Sequence, residues 1–79
     1  MKLKDKLKYF GELKTELEKQ FGNKIECYVK KSSCYILLPR NIMDQIEAEE
    51  TIAAYDFEVI GRCLEGKDCR LLYRVYPAE

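Results

Sequence analysis

Histidine and tryptophan are absent from this 79-residue chain, and it has only four glycines and two prolines. The lack of histidine removes the one side chain that titrates near neutrality without perturbation. It also removes Ser–His and Cys–His nucleophile pairs and every histidine-containing zinc site. The low glycine and proline content excludes a collagen-like or low-complexity chain. No apolar run approaches the length of a membrane span. A glycine-rich phosphate loop, a nucleophile motif and a carboxylate metal loop are all missing. Paired carboxylates such as Glu49 with Glu50, or Glu12 with Glu16, read as solvated helix faces.

What is present describes an ordinary globular chain, 47% hydrophobic and 35% charged. Its length fits one small domain over residues 1–79. A domain of this size buries only about 60% of its unfolded surface and has little room for a substrate pocket. The expectation is a protein without catalytic residues, metal site or cofactor. The stretch Met1–Lys8 is too polar for a secretory signal. Four cysteines without such a signal fit free thiols in a reducing, cytoplasmic setting.

Leu3, Leu7, Phe10, Leu13, Leu17 and Phe21 recur at intervals of three and four, the stripe of an amphipathic helix over 2–21. Gly22-Asn23 is a left-handed stop. The period then changes to two, which predicts strands at 24–30 and 33–38. A two-residue turn at Lys31-Ser32 would oppose Val29 with Cys34, Cys27 with Ile36 and Ile25 with Leu38, all on one face. Lys-Ser is not a favoured pair for such a turn, so a longer loop is an alternative. Pro39 ends the second strand. Asn41 is a candidate cap for a helix over 42–54. Ile42, Met43, Ile46, Ala53 and Ala54 would be its apolar residues, and Glu49 and Glu50 would point outward. A break near 47–51 is the alternative there.

Residues 55–64 and 69–76 read as strands around the turn signal Glu65-Gly66-Lys67-Asp68. A three-residue loop at 65–67 would oppose Cys63 with Cys69, Gly61 with Leu71, Val59 with Tyr73 and Phe57 with Val75. The order is therefore α-β-β-α-β-β. The expected fold is α+β: two helices on one face of a four-stranded antiparallel sheet. The same order results from moving the first strand of a ferredoxin-like βαββαβ unit to the end. That analogy concerns topology and carries no function.

These registers place Cys27, Cys34, Cys63 and Cys69 on the core face as small buried hydrophobes. The spacing lacks the C-x2-C knuckles of zinc ribbons. A Cys63–Cys69 cross-strand disulfide is the sharper alternative. The lysines at 2, 4, 6 and 8 oppose the dipole of the first helix. They are either a solvated end or a contact for phosphate or an acidic partner.

The uncovered sheet face would carry Tyr28, Lys30, Tyr35 and Leu37 from the first hairpin. The second would add Ile60, Arg62, Leu64, Arg70, Leu72, Arg74 and Tyr76, with Glu26 and Glu58 as acidic members. Tyrosine, arginine and aliphatics together have the composition of a protein interface core. The residues expected to bind a partner are Tyr28, Lys30, Tyr35, Arg62, Arg70, Leu72, Arg74 and Tyr76. The partner would be a larger protein or complex, or a second copy docked through this face. A compact chain without motifs suits a phage or mobile-element inhibitor of a host complex. The alternative is a single-stranded nucleic-acid platform, with bases stacked on the tyrosines. A net charge of zero, from 14 basic and 14 acidic residues, works against it. That zero is segmental: residues 1–31 carry +4, 32–58 carry −5 and 59–79 carry +1.

Overall fold

The computed structural model describes residues 3–78, with side chains from Lys4 onward. Lys2, the expected first residue of the helix, and the Leu3 side chain lie outside the described residues. The elements are α1 (Leu3–Phe21), a 3₁₀ turn (Gly22–Lys24), β1 (Glu26–Lys30), β2 (Ser33–Leu37), α2 (Ile42–Ala54), β3 (Phe57–Glu65) and β4 (Arg70–Pro77). The sheet is antiparallel in the order β1-β2-β4-β3. That order is compatible with a ferredoxin-like sheet whose first strand has moved to the end. Both helices pack on one face. Phe10, Leu13, Leu17 and Phe21 of α1 share one core with Ala48 and Ile52 of α2 and with Cys27, Cys34, Ile36, Tyr73 and Val75 of the sheet. No helix is long and apolar enough to cross a membrane.

Phe10, Leu13, Leu17 and Phe21 of the α1 stripe are buried as its spacing predicts, whereas Leu7 is 37% exposed. Gly22 supplies the left-handed stop at φ 60°. The first hairpin has the two-residue turn, with Val29 opposite Cys34 and Cys27 opposite Ile36. Lys31 and Ser32 both take positive φ, 50° and 68°. A turn of this type matches the twist of the strands but strains residues that carry a Cβ. Lys31→Asn with Ser32→Gly is therefore expected to stabilise the chain by about 1–2 kcal/mol. Urea unfolding would show a higher midpoint at unchanged slope. A lower midpoint would mean that the Ser32 region is held by more than its turn. One such tie exists: Lys6 Nζ donates to the Ser32 carbonyl and lies over the Tyr76 ring. That lysine is thus used within the fold.

α2 is continuous through 47–51. Asn41 caps it, its side chain accepting from the N–H of Met43 at 2.8 Å and of Asp44 at 3.4 Å. Its buried face differs from the expected one. Ala48, Thr51 and Ile52 are buried, whereas Ile42, Met43, Ile46, Ala53 and Ala54 are exposed. Small Ala48 and Thr51 let the helix approach α1, and Thr51 Oγ1 donates to Gln20 Oε1 at 3.0 Å. The opposite charges of the helices are not expressed as ion pairs between them among the described residues. Glu49 does not simply point to solvent, because its carboxylate accepts from the Tyr73 hydroxyl.

The second hairpin corrects the expected register. Its loop spans the four residues Gly66–Cys69, closed by Cys69 N–H to Gly66 O at 3.2 Å, so Glu65 faces Arg70. Cys63 lies opposite Leu72, not Cys69. Gly61 lies opposite Arg74, not Leu71. Val59 lies opposite Val75 and Phe57 opposite Pro77. A bulge between Val59 and Gly61 absorbs one residue, Ile60. One extra residue inverts which face every later side chain takes. Phe57 and Val59 stay on the helix side as expected. Beyond the bulge, Arg62 and Leu64 join Tyr73 and Leu71 on that side, and Gly61 and Cys63 pass to the open face.

This inversion also corrects the cysteines. Cys27 and Cys34 are buried, but Cys63 and Cys69 are exposed, and all four are free. Burial, with the Glu18 carboxylate adding to it, pushes the Cys27 thiol from 9.0 up to about 12. Burial also raises Cys34. The unfolded chain releases the Cys27 proton from about pH 9, while the folded chain keeps it to about 12. The stability this confers is complete below pH 9 and is lost as pH rises towards 12. Urea midpoints are expected to fall over that window, and Cys27→Ala is expected to flatten the slope. An unchanged slope in Cys27→Ala would assign the alkaline loss to other groups.

Candidate functional site

Alternation along the strands leaves one sheet face without helices. Two cross-strand rows define it. The first runs Glu26, Leu37, Leu72, Cys63, and the second runs Tyr28, Tyr35, Arg74, Gly61. Tyr28 and Tyr35 stand directly opposite, and their rings stack at 5.3 Å with 21° between planes. Partial burial, with Glu65 and Glu26 next in weight, raises the Tyr28 phenol. Arg74 runs over Gly61: a Cβ built on that glycine would lie 3.6 Å from Arg74 Cβ and 3.7 Å from its Nε. An alanine at position 61 would therefore sit in ordinary van der Waals contact with the arginine.

Tyr35, Gly61, Arg62, Cys63, Leu72 and Arg74 surround a shallow cavity of about 240 Å³. Leu72 is 6% exposed and forms its aliphatic floor. The cavity offers an aromatic wall, a planar cation and an apolar base. This geometry suits an aliphatic or aromatic side chain that carries an acceptor at its tip.

Of the residues expected on this face, Tyr28, Lys30, Tyr35, Leu72 and Arg74 are there, together with Leu37. Tyr76 faces Glu58 across the strands and lies at the margin, beneath Lys6. Arg62 borders the cavity at the strand edge, but its side chain belongs to the other side: it faces Tyr73, and its guanidinium lies 5.1 Å from that ring's centroid. Leu64 follows it, because of the bulge. Arg70 is drawn to the end of the sheet, where its Nη2 donates to Lys24 O at 2.9 Å and Leu38 O at 2.8 Å. Cys63 and Gly61 are members the alternation had assigned to the core. A glycine within a strand run is a bulge signal, and it alone pointed to the change of face.

The loss of Arg62 and Arg70 alters the electrostatics. The remaining cations, Lys30 and Arg74, share the open side of the sheet with Glu26, Glu58 and Glu65.

No family model, curated protein or solved structure significantly matches this chain.

A larger depression of about 420 Å³ is lined by Asn23, Lys24, Arg40, Asn41, Asp44 and Arg70. Its arginines are already engaged. Arg40 pairs with Asp68 at 2.7 Å, and Arg70 holds two backbone carbonyls. The Arg40 guanidinium holds the Asp68 carboxyl below its usual range. This region ties together the end of the sheet and the start of α2. Among the described residues, no group of three or more cysteines, aspartates or glutamates is placed to hold a metal ion.

Proposed function

We propose that this protein is a non-enzymatic binding module that docks its open sheet face onto a larger protein or complex. The observation that carries this reading is the Tyr28–Tyr35 stack beside Arg74, set around the Leu72 floor. Tyrosine and arginine are enriched among residues that dominate binding energy, and they act best around an apolar pocket. Docking of so small a chain acts by occlusion, the mode of an inhibitor carried by a phage or mobile element. Nucleic acid is the weaker reading, because the face carries three carboxylates against two cations and repels a polyanion.

Capture from host lysate by wild type and by Tyr35→Ala/Arg74→Ala tests the proposal. The double variant is expected to lose the partner by tenfold or more, about 1.4 kcal/mol or above. Circular dichroism should report the same fold for both. Equal capture of one partner by both proteins would remove the open face as the binding surface. Polarisation with labelled single-stranded DNA and RNA at two salt levels is expected to show no binding. Salt-sensitive binding lost in the double variant would favour the nucleic-acid platform instead.

A further inference from the structure

An edge strand presents a row of N–H and C=O groups without strand partners. β3 is an edge strand and the longest strand of the sheet. Arg62, Cys63, Leu64 and Glu65 are all exposed. The bulge ends at Gly61, so Gly61–Glu65 is a regular run with a free outer edge.

The flank of α2 above that edge is apolar. At 100° per residue, Ile42 lies on the side of α2 opposite Thr51, and Thr51 faces Gln20 of α1. Ile42 and Ile46 are therefore turned away from α1. Glu49, nearby on the same helix, reaches Tyr73, whose ring also lies against Arg62 of β3. That flank thus overhangs β3, with Ile42 at 70% and Ile46 at 46% exposure, and Leu64 of the strand itself at 66%.

We propose that this edge pairs antiparallel with the same edge of a second copy of the chain, with Cys63 on the two-fold axis. In that register Arg62 faces Leu64 of the second copy, and Gly61 faces its Glu65. Opposed residues then come from matching faces. The helices of both copies stand on one side of a continuous sheet, and each Leu64 enters beneath the other copy's Ile42–Ile46 flank. A register one residue away would oppose Arg62 with Glu65, which lie on different faces, and would put the helices on opposite sides.

Charge selects the same register. Arg74 already lies over Gly61. Glu65 of the second copy would arrive beside that glycine, with its carboxylate at the Arg74 guanidinium, and the two-fold axis repeats the contact. Neither Arg74 nor Glu65 forms an ion pair within the chain among the described residues. This pairing uses the sheet edge and shares Gly61, Arg62, Cys63 and Arg74 with the open-face cavity, so Leu64→Lys, at a position on the helix side, separates it from what the open face binds.

Sedimentation equilibrium of the full chain under reducing conditions tests it. A concentration-dependent monomer–dimer equilibrium is expected. Leu64→Lys should raise its dissociation constant about tenfold or more. Glu65→Arg should weaken it as well, and Glu65→Arg/Arg74→Glu should restore it. The substituted residues are exposed, and circular dichroism checks that each variant folds. In Cys69→Ser under mild oxidation, Cys63 should link two chains. Opposed Cα atoms in such a pair are about 4.5–5.5 Å apart, within disulfide reach. A monomer at every concentration would overturn the proposal. So would a dimer that Leu64→Lys leaves intact and Tyr35→Ala abolishes, which would move self-association to the open face. Failure of the charge swap to restore pairing would overturn the register.

Discussion

Leu17→Ala is expected to destabilise the chain by about 2–5 kcal/mol, while Met43→Ala changes it by about 0.5 kcal/mol or less. Both residues are apolar and helical, and composition does not separate them. Leu17 is fully buried at the centre of α1, and Met43 is 62% exposed on α2. Truncating Leu17 removes transfer energy and leaves a cavity. Leu13, Ile36 and Ile52 of the same core are each held in place by secondary structure and cannot shift to close it. A domain of this size has only about 5–15 kcal/mol in total. The thermal midpoint should fall by about 10 °C or more, at about 4–8 °C per kcal/mol. A loss under about 1 kcal/mol in Leu17→Ala would contradict the packing of α1 against the sheet.

Arg70→Met is the second large effect, and it is a conformational one. One guanidinium nitrogen donates to Lys24 O and to Leu38 O, so β4 holds the entry to β1 and the exit of β2. Hydrogen bonds from a charged donor contribute about 1.5–3 kcal/mol each. Two offsets reduce the sum. The Lys24 carbonyl is exposed and water replaces its donor. The Arg70 Nε is buried without a partner among the described residues, and its removal relieves a penalty. The net loss is expected at about 1–3 kcal/mol, most of it from the part-buried Leu38 carbonyl. Urea unfolding measures it. If Arg70→Met were as stable as wild type, the guanidinium would be a free surface cation. The residue would then return to the candidate partner-binding set.

The first hairpin was legible because burial on one face and a short turn agree on a single register. Val29, Cys27 and Ile25 could oppose only Cys34, Ile36 and Leu38 without exposing an apolar row. The second hairpin had two devices that alternation does not report. A four-residue loop moved the register by three, and a bulge at Ile60 restored the original face for Phe57 and Val59 alone. The apparent Cys63–Cys69 pair followed from the shorter loop, and the open-face positions of Arg62 and Leu64 followed from counting by two through that bulge. α2 was legible as a helix from Asn41 and its composition. Its orientation was not, because the apolar positions 42, 43 and 46 outweigh Ala48 and Thr51 in hydrophobicity. Close approach to α1 favoured the smaller residues.

The sequence by itself determined the element order, the stripe of α1, the register of the first hairpin and the tyrosine pair on the open face. Periodicity sets these, and it is a local property of the chain. Only the tertiary structure decided which arginines share that face, which side of α2 is buried and which cysteines are accessible. Those depend on how far one element slides or turns against another. A single bulged residue, or the width of an alanine at a helix contact, reverses the outcome without altering the pattern that sequence reading uses.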